Sequence, residues 1–460
     1  MGQLWDTLAA AKNGRRGLNG VGLMIPYTKH SLVVASLLLV ACDPGGGERD
    51  SLPGAGIGTL SGGSTSDAGG EAGGDSVETT GVSGGGGTSD GGDSTSGGAG
   101  DDGPKFDLGG GGSEGTGGAD LGCDSAQDED RDMDGWSKAQ GDCNDCDANV
   151  NPGAIEVEVT EPNEDGVIPD PADEDCDGFV DNVPEPCDGM LAIDDADPYD
   201  AAGAIGLCDA AEGPDDYGIV SANWVRADGT VVMGGSVQHG LLPGFGPNVA
   251  AREGTSVLGI SSGAARIPGQ AGACGSLTCN GTGAGTPPPG FPQDVPSCPG
   301  ASDINDDYAL EVTLRAPTNA TGFQFDFDFY SFEYPEWVCT SFNDQFIALV
   351  SPPPAASIDG NISFDAMGNP VSVNIAFFDV CSGCALGTSE LQGTGFDTWD
   401  DAGATSWLTT TSPIEGGTEF TIRFAIWDTG DAAWDSTVLI DNFRWIADGG
   451  TVDVGTTPAG

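Results

Sequence analysis

Positive charge is scarce in this chain. Its 460 residues carry 14 Lys plus Arg and two histidines against 72 Asp plus Glu. Four of the bases, Lys12, Arg15, Arg16 and Lys29, fall in the first 42 residues with a single acid, so the remainder is more one-sided still. Binding nucleic acid or anionic lipid headgroups requires Lys and Arg to neutralise phosphate, and this surface excludes both. The shortage of histidine excludes more. Gly259-Ile260-Ser261-Ser262-Gly263 spells the nucleophile-elbow string, but that motif needs a histidine after its serine. After residue 42 the one imidazole is His239, which precedes it. Long hydrophobic runs are missing too. The apolar stretch "SLVVASLLLVA" has eleven residues, too short to span a bilayer and right for an export signal.

That stretch follows Lys29 and ends in Leu39-Val40-Ala41-Cys42, which resembles a bacterial lipobox. The resemblance implies that Cys42 is diacylated on sulfur and becomes the first residue of the mature chain, anchoring it to a membrane through lipid. It places the protein in a bacterial cell envelope, at the outer membrane, either surface-exposed or periplasmic. Met24 is an alternative start. Of 13 cysteines, 12 remain when Cys42 is set aside, an even number that allows up to six disulfides in an exported protein. Their connectivity stays open.

Composition then divides the chain. Residues 1–42 are the signal segment. Residues 43–122 are Gly, Ser and Asp with almost no apolar side chain, and cannot offset chain entropy, so a disordered acidic tether is expected. Its reach is roughly 50 Å. Residues 123–189 are rich in Asp and Cys. Residues 190–447 alternate in polarity, and 448–460 read as a flexible tail.

In the Asp-rich segment, Asp130, Asp132 and Asp134 alternate and Gly135 follows, matching the first half of a calcium loop. Carboxylates two residues apart can converge on one hard cation, and the glycine permits the sharp turn. At the twelfth position, where a helix–loop–helix site needs Glu, stands Gly141, with Asp142 next. A second copy runs through Asp173, Asp175, Asp177, Gly178 and Asp181. These eight aspartates are the candidate ligands, for Ca2+ and not for transition metals, which favour imidazole and thiolate. The spacing resembles thrombospondin type 3 repeats. With Gly141-Asp142-Cys143 and Asn151 to Glu156, the segment is also similar to metal-binding modules common in exported bacterial proteins. An insertion after Glu156 departs from that pattern and leaves the pairing of Cys143, Cys146 and Cys176 open.

Period-two runs dominate 190–447. Phe323, Phe325, Phe327 and Phe329 share one strand face, as do Phe420, Ile422, Phe424 and Ile426. The expected fold is mainly β: a jelly-roll-like β-sandwich preceded by the small loop-rich calcium and disulfide module and the disordered tether. The run Phe325 to Tyr334, with Asn343 to Phe346, resembles the bacterial surface domain named choice-of-anchor L, over most of 205–447. That family implies a surface module and no reaction.

No catalytic residues are assigned. Cys381–Cys384 and Cys143–Cys146 spell redox pairs without a thioredoxin-like context, so both read as structural. The expectation is a non-catalytic surface protein that binds an extracellular glycan or surface protein. Tyr334, Trp337 and Trp434 are the candidate ligand-binding rings, and Trp407 and Trp427 read as core. The alternative is a hydrolase acting on envelope or extracellular polysaccharide through the carboxylate pair Glu333 and Glu336.

Overall fold

The computed structural model describes residues 125–460 apart from 159, 161–167, 169, 170, 183, 280, 376, 400 and 448. Cys42, the signal segment, the tether 43–122 and Cys123 lie outside the described residues.

In chain order, helix α1 (Pro198–Gly203) is followed by β1 (Gly218–Val225), β2 (His239–Leu242), β3 (Val257–Ser261), β4 (Ile304–Arg315), β5 (Gly322–Ser331) and β6 (Gln345–Ser351). Then come β7 (Val371–Ser372), β8 (Val380–Cys381), β9 (Gly403–Ala404), β10 (Leu408–Pro413), β11 (Glu419–Thr429), β12 (Ser436–Ile446) and β13 (Gly455–Pro458). One sheet runs β1-β4-β11-β6-β7 and the other β13-β10-β5-β12-β3-β2, with β9 attached to β5 and β8 to β9. Every ladder is antiparallel. The two sheets pack as a β-sandwich.

The aromatic alternation explains why they pack. Phe323, Phe325, Phe327 and Phe329 of β5 all enter the core between the sheets, meeting Phe420, Ile422 and Phe424 of β11. Phe325 and Phe424 stand edge to face at 5.0 Å, and Phe327 meets Phe346 at 5.1 Å. Each buried Phe contributes about 2–3 kcal/mol. Trimming Phe327 to Ala would cost about 3–5 kcal/mol.

The opposite faces are covered as well, which alternation alone did not indicate. Outside β5, Leu242, Phe245, Phe332 and Phe396 form a second apolar cluster. Outside the other sheet, Phe291, Ala425 and Trp427 form a third. The outward Asp326 and Asp328 of β5 are therefore buried polar groups, not wetted ones. Asp326 accepts from Arg252 Nε at 3.0 Å and Asn442 Nδ2 at 2.7 Å, and Asp328 accepts from the Tyr330 hydroxyl at 2.6 Å.

The expected tail also differs. Its last residues form β13 on the free edge of β10, and the Thr410 and Thr456 hydroxyls meet at 2.8 Å. An unpaired strand edge is a ready template, and the tail completes it.

The Asp-rich segment packs against the sandwich within the same compact unit. Asn319 clamps Ile155, accepting from its N–H at 3.0 Å and donating to its carbonyl at 2.8 Å. Thr318 N–H donates to the Gly153 carbonyl. Asp188 accepts from Thr255 N–H at 2.6 Å and Ser256 N–H at 2.5 Å, and Cys187 is bonded to Cys208. Further disulfides join Cys143–Cys176, Cys274–Cys279, Cys298–Cys339 and Cys381–Cys384, and Cys146 is also disulfide-bonded.

Candidate metal centre

The first acidic loop is built by its own side chains. Asp130 accepts from Met133 N–H at 2.8 Å and Gly135 N–H at 3.2 Å, closing the turn that Gly135, at φ +100°, makes without strain. Asp134 Oδ1 accepts from Trp136 N–H, Asp142 Oδ1 from Asn144 N–H, and Asp145 Oδ1 from Arg131 N–H, at 2.7–2.8 Å. Asp134, Asp142 and Asp145 thus each spend one oxygen on the backbone, as does Asp132, whose Oδ1 takes Asp134 N–H at 3.4 Å. The other oxygen, Oδ2 in Asp132, Asp134, Asp142 and Asp145, is buried and meets no donor. Asp142 is 4% exposed and Asp145 fully buried.

One oxygen each from Asp132, Asp134 and Asp142 lie within 4.8 Å of one another, and so do one each from Asp130, Asp132 and Asp145. Calcium–oxygen bonds of 2.3–2.6 Å place opposite ligands about 5 Å apart, so these sets match one hard cation without rearrangement. Burial pushes Asp134 up to about 6, and the charges of Asp132 and Asp142 add to it. Burial raises Asp132 and Asp142 too. A cation reverses that penalty by supplying the opposite charge.

The second loop repeats the device. Gly178 N–H donates to Asp173 Oδ2 at 3.1 Å, as Gly135 does to Asp130, and Asp175 Oδ1 accepts from Asp177 N–H at 3.0 Å. The convergent set here is Glu156, Asp173 and Asp175. Glu156 comes from the Asn151–Glu156 turn and accepts from Asp181 N–H at 2.6 Å and Asp175 N–H at 3.3 Å. Burial pushes Asp175 up to about 6, with Asp177 and Glu156 adding to it. Asp177 is engaged otherwise, its oxygens taking Phe179 N–H and Asn182 Nδ2. Asp181 Oδ1 is buried without a donor at the margin of the set.

Asp145 and Glu156 are thus members that the sequence reading did not assign. Both lie inside elements it had singled out, Asp145 between Cys143 and Cys146 and Glu156 at the end of the Asn-Pro-Gly turn. The Cys143–Cys176 disulfide joins the two loops, and Cys143 N–H points at Cys176 Sγ, 3.1 Å away.

The proposed ligand-binding rings separate. Trp337 meets Trp434 edge to face at 5.5 Å, and Trp434 meets Trp399 at 5.8 Å, forming a row with Trp399 39% exposed. Tyr334 lies elsewhere, stacked on Phe378 at 4.0 Å against the core. Trp427 is fully buried and Trp407 half-buried under Arg252. Glu333 is 2% exposed whereas Glu336 is exposed, so the two do not face a shared opening. Burial pushes Glu333 up to about 9, and the charge of Asp428 adds to it.

Among the described residues no helix is long and apolar enough to cross a membrane. No curated protein matches the chain. Residues 299–443, from before β4 into β12, match the Choice-of-anchor L domain, which associates this β-sandwich with the cell surface or envelope.

Proposed function

We propose that this is a lipid-anchored, non-catalytic protein of the outer cell surface. Two calcium-binding loops stiffen its N-terminal module, and its sandwich binds an extracellular ligand, a glycan or a surface protein. Cys42 carries the lipid, and the acidic tether holds the module and the sandwich away from the membrane. Calcium binds through Asp130, Asp132, Asp134, Asp142 and Asp145 in one loop, and through Glu156, Asp173 and Asp175 in the other, with Asp181 beside it. The observation that carries the reading is the set of buried, donor-free Oδ2 oxygens in the first loop. An uncompensated buried carboxylate costs several kcal/mol, so binding the ion and ordering the module are one event.

The row Trp399–Trp434–Trp337 supports the second half of the reading. Flat rings with one exposed face suit stacking on sugar rings, at little entropic cost.

The test is calorimetric calcium titration of the oxidised protein, with limited proteolysis in calcium and in chelator. Saturable binding accompanied by protection of 125–189 is expected. Equal cleavage of that segment under both conditions would remove the calcium half. A glycan array probed with the protein and with Trp337→Ala tests the other half, which fails if both give identical profiles.

A further inference from the structure

A second group of acids lies within the sandwich itself, at the end of the sheets where β5 stops and β6, β11 and β12 meet. Glu333 follows β5, Asp344 precedes β6, Asp428 lies in β11 and Asp435 precedes β12. None is more than 3% exposed.

Asp344 is fully engaged. It accepts from Thr429 N–H at 3.1 Å and from the Ser436 hydroxyl at 2.7 Å, and so holds the ends of β11 and β12 together. Its neighbours each keep at least one oxygen without a donor. Neither oxygen of Asp428 has a donor in good hydrogen-bond geometry, although the residue is fully buried beside Ser262 and Asp344. Glu333 Oε2 and Asp435 Oδ1 are likewise buried without a donor. Asp435 Oδ2 is pinned by Cys279 N–H at 2.8 Å, which turns Oδ1 away from that loop. The ladder between β4 and β11 shifts register between Ile426 and Asp428, so the backbone is reshaped where the least-satisfied acid sits.

Among the described residues, no ion pair reaches these four acids. The arginines of the sandwich with ion pairs are spent on Asp307, Asp326, Glu419 and Glu311. Buried carboxylates without bases are stable only when protonated or bound to a cation. The donor set is oxygen alone, which selects a hard ion.

We propose that Glu333, Asp344, Asp428 and Asp435 hold a divalent cation of the calcium class inside the sandwich, separate from the ions of the Asp-rich module. Among the described residues, sets of three acids with oxygens within 4.8 Å occur only in that module. Calcium accepts six to eight oxygens in flexible geometry, so water would complete the coordination that these four side chains begin. Seated there, the ion ties together the adjoining ends of β5, β6, β11 and β12, one residue from Trp434 of the tryptophan row. The inference does not depend on the module binding calcium.

The experiment uses the full oxidised chain with Asp132→Asn and Asp175→Asn, which disable both module loops, and terbium as a calcium probe excited through tryptophan. Terbium emission that calcium competes away, with a stoichiometry near one, is expected, falling at least about tenfold when Asp428→Asn is added. No saturable emission in the module-disabled chain, or emission unchanged by Asp428→Asn, would overturn the proposal. Melting temperature separates loss of the site from loss of the fold. In chelator Asp428→Asn should melt no lower than its parent, because a buried charge is gone, while losing the upward shift that calcium gives the parent. An equal calcium-induced shift in both chains would also overturn it.

Discussion

A β-carbon on Gly263 would lie 1.7 Å from Oδ2 of Asp435. The glycine is therefore required by a carboxylate 172 positions away in sequence, not by its own backbone angles. Gly263→Ala is expected to displace Asp435, break its bond to Cys279 N–H, and lower stability by about 1–3 kcal/mol. Gly275→Ala, with open space around the added carbon, should stay within about 0.5 kcal/mol. Denaturant midpoints at constant slope decide the matter, and equal midpoints for the two variants would contradict it.

Asp142 tests the proposed calcium site of the first loop with least disturbance, because its Oδ1 hydrogen bond to Asn144 N–H can survive in an amide. Asp142→Asn removes one charge from the cage and should weaken calcium binding about tenfold, or about 1.4 kcal/mol. Asp147→Asn changes an acid outside the convergent sets and should leave affinity within about twofold. Calorimetric titration of both variants checks this.

Joining the loops through Cys143 and Cys176 closes 33 residues. On chain entropy alone that bond is worth about 3–4 kcal/mol. Replacing both cysteines with alanine should lower calcium affinity in both loops together and open the 143–176 segment to protease in chelator. If the calcium isotherm superimposes on that of the parent, the loops act independently.

His239 is buried between Trp224, stacked at 4.1 Å, and Tyr308, whose hydroxyl meets Nδ1 at 3.1 Å. Its Nε2 meets the Asp195 carbonyl at 2.9 Å. Burial pushes the imidazole down to about 4. The unfolded chain therefore takes up a proton near pH 6.5 that the native chain refuses until about pH 4. The contribution of His239 to stability should fall with pH across that window, by about 2 kcal/mol at pH 5 relative to pH 8, against the opposite trend set by carboxylates such as Glu333 that burial raises. His239→Gln should lose part of this slope, and a ring titration by NMR with a midpoint near 6.5 in the folded protein would contradict the account.

The two acidic loops were largely legible because their geometry is local. Asp130 closes its own turn onto Met133 and Gly135 and sets Asp132 and Asp134 on the same loop, so spacing suffices to find them. Glu156 was not assignable, because it reaches Asp173 and Asp175 across an insertion whose length hides the approach. The strand phase of Phe323–Phe329 was legible for the same local reason. What covers the other face of β5 was not, since Asp326 finds Arg252 and Asn442 through the fold alone.

The sequence by itself determined the acidic character, the export-type cysteine content, the repeated aspartate loops and the alternating strands. Each follows from composition or from residues only a few positions apart, where chain geometry leaves little choice. Only the tertiary structure decided which cysteines pair, that the C-terminal residues complete a sheet edge, and that Glu333, Asp344, Asp428 and Asp435 share one buried corner. Those depend on contacts between distant segments, whose register is set by packing of the whole sandwich and leaves no trace in local spacing.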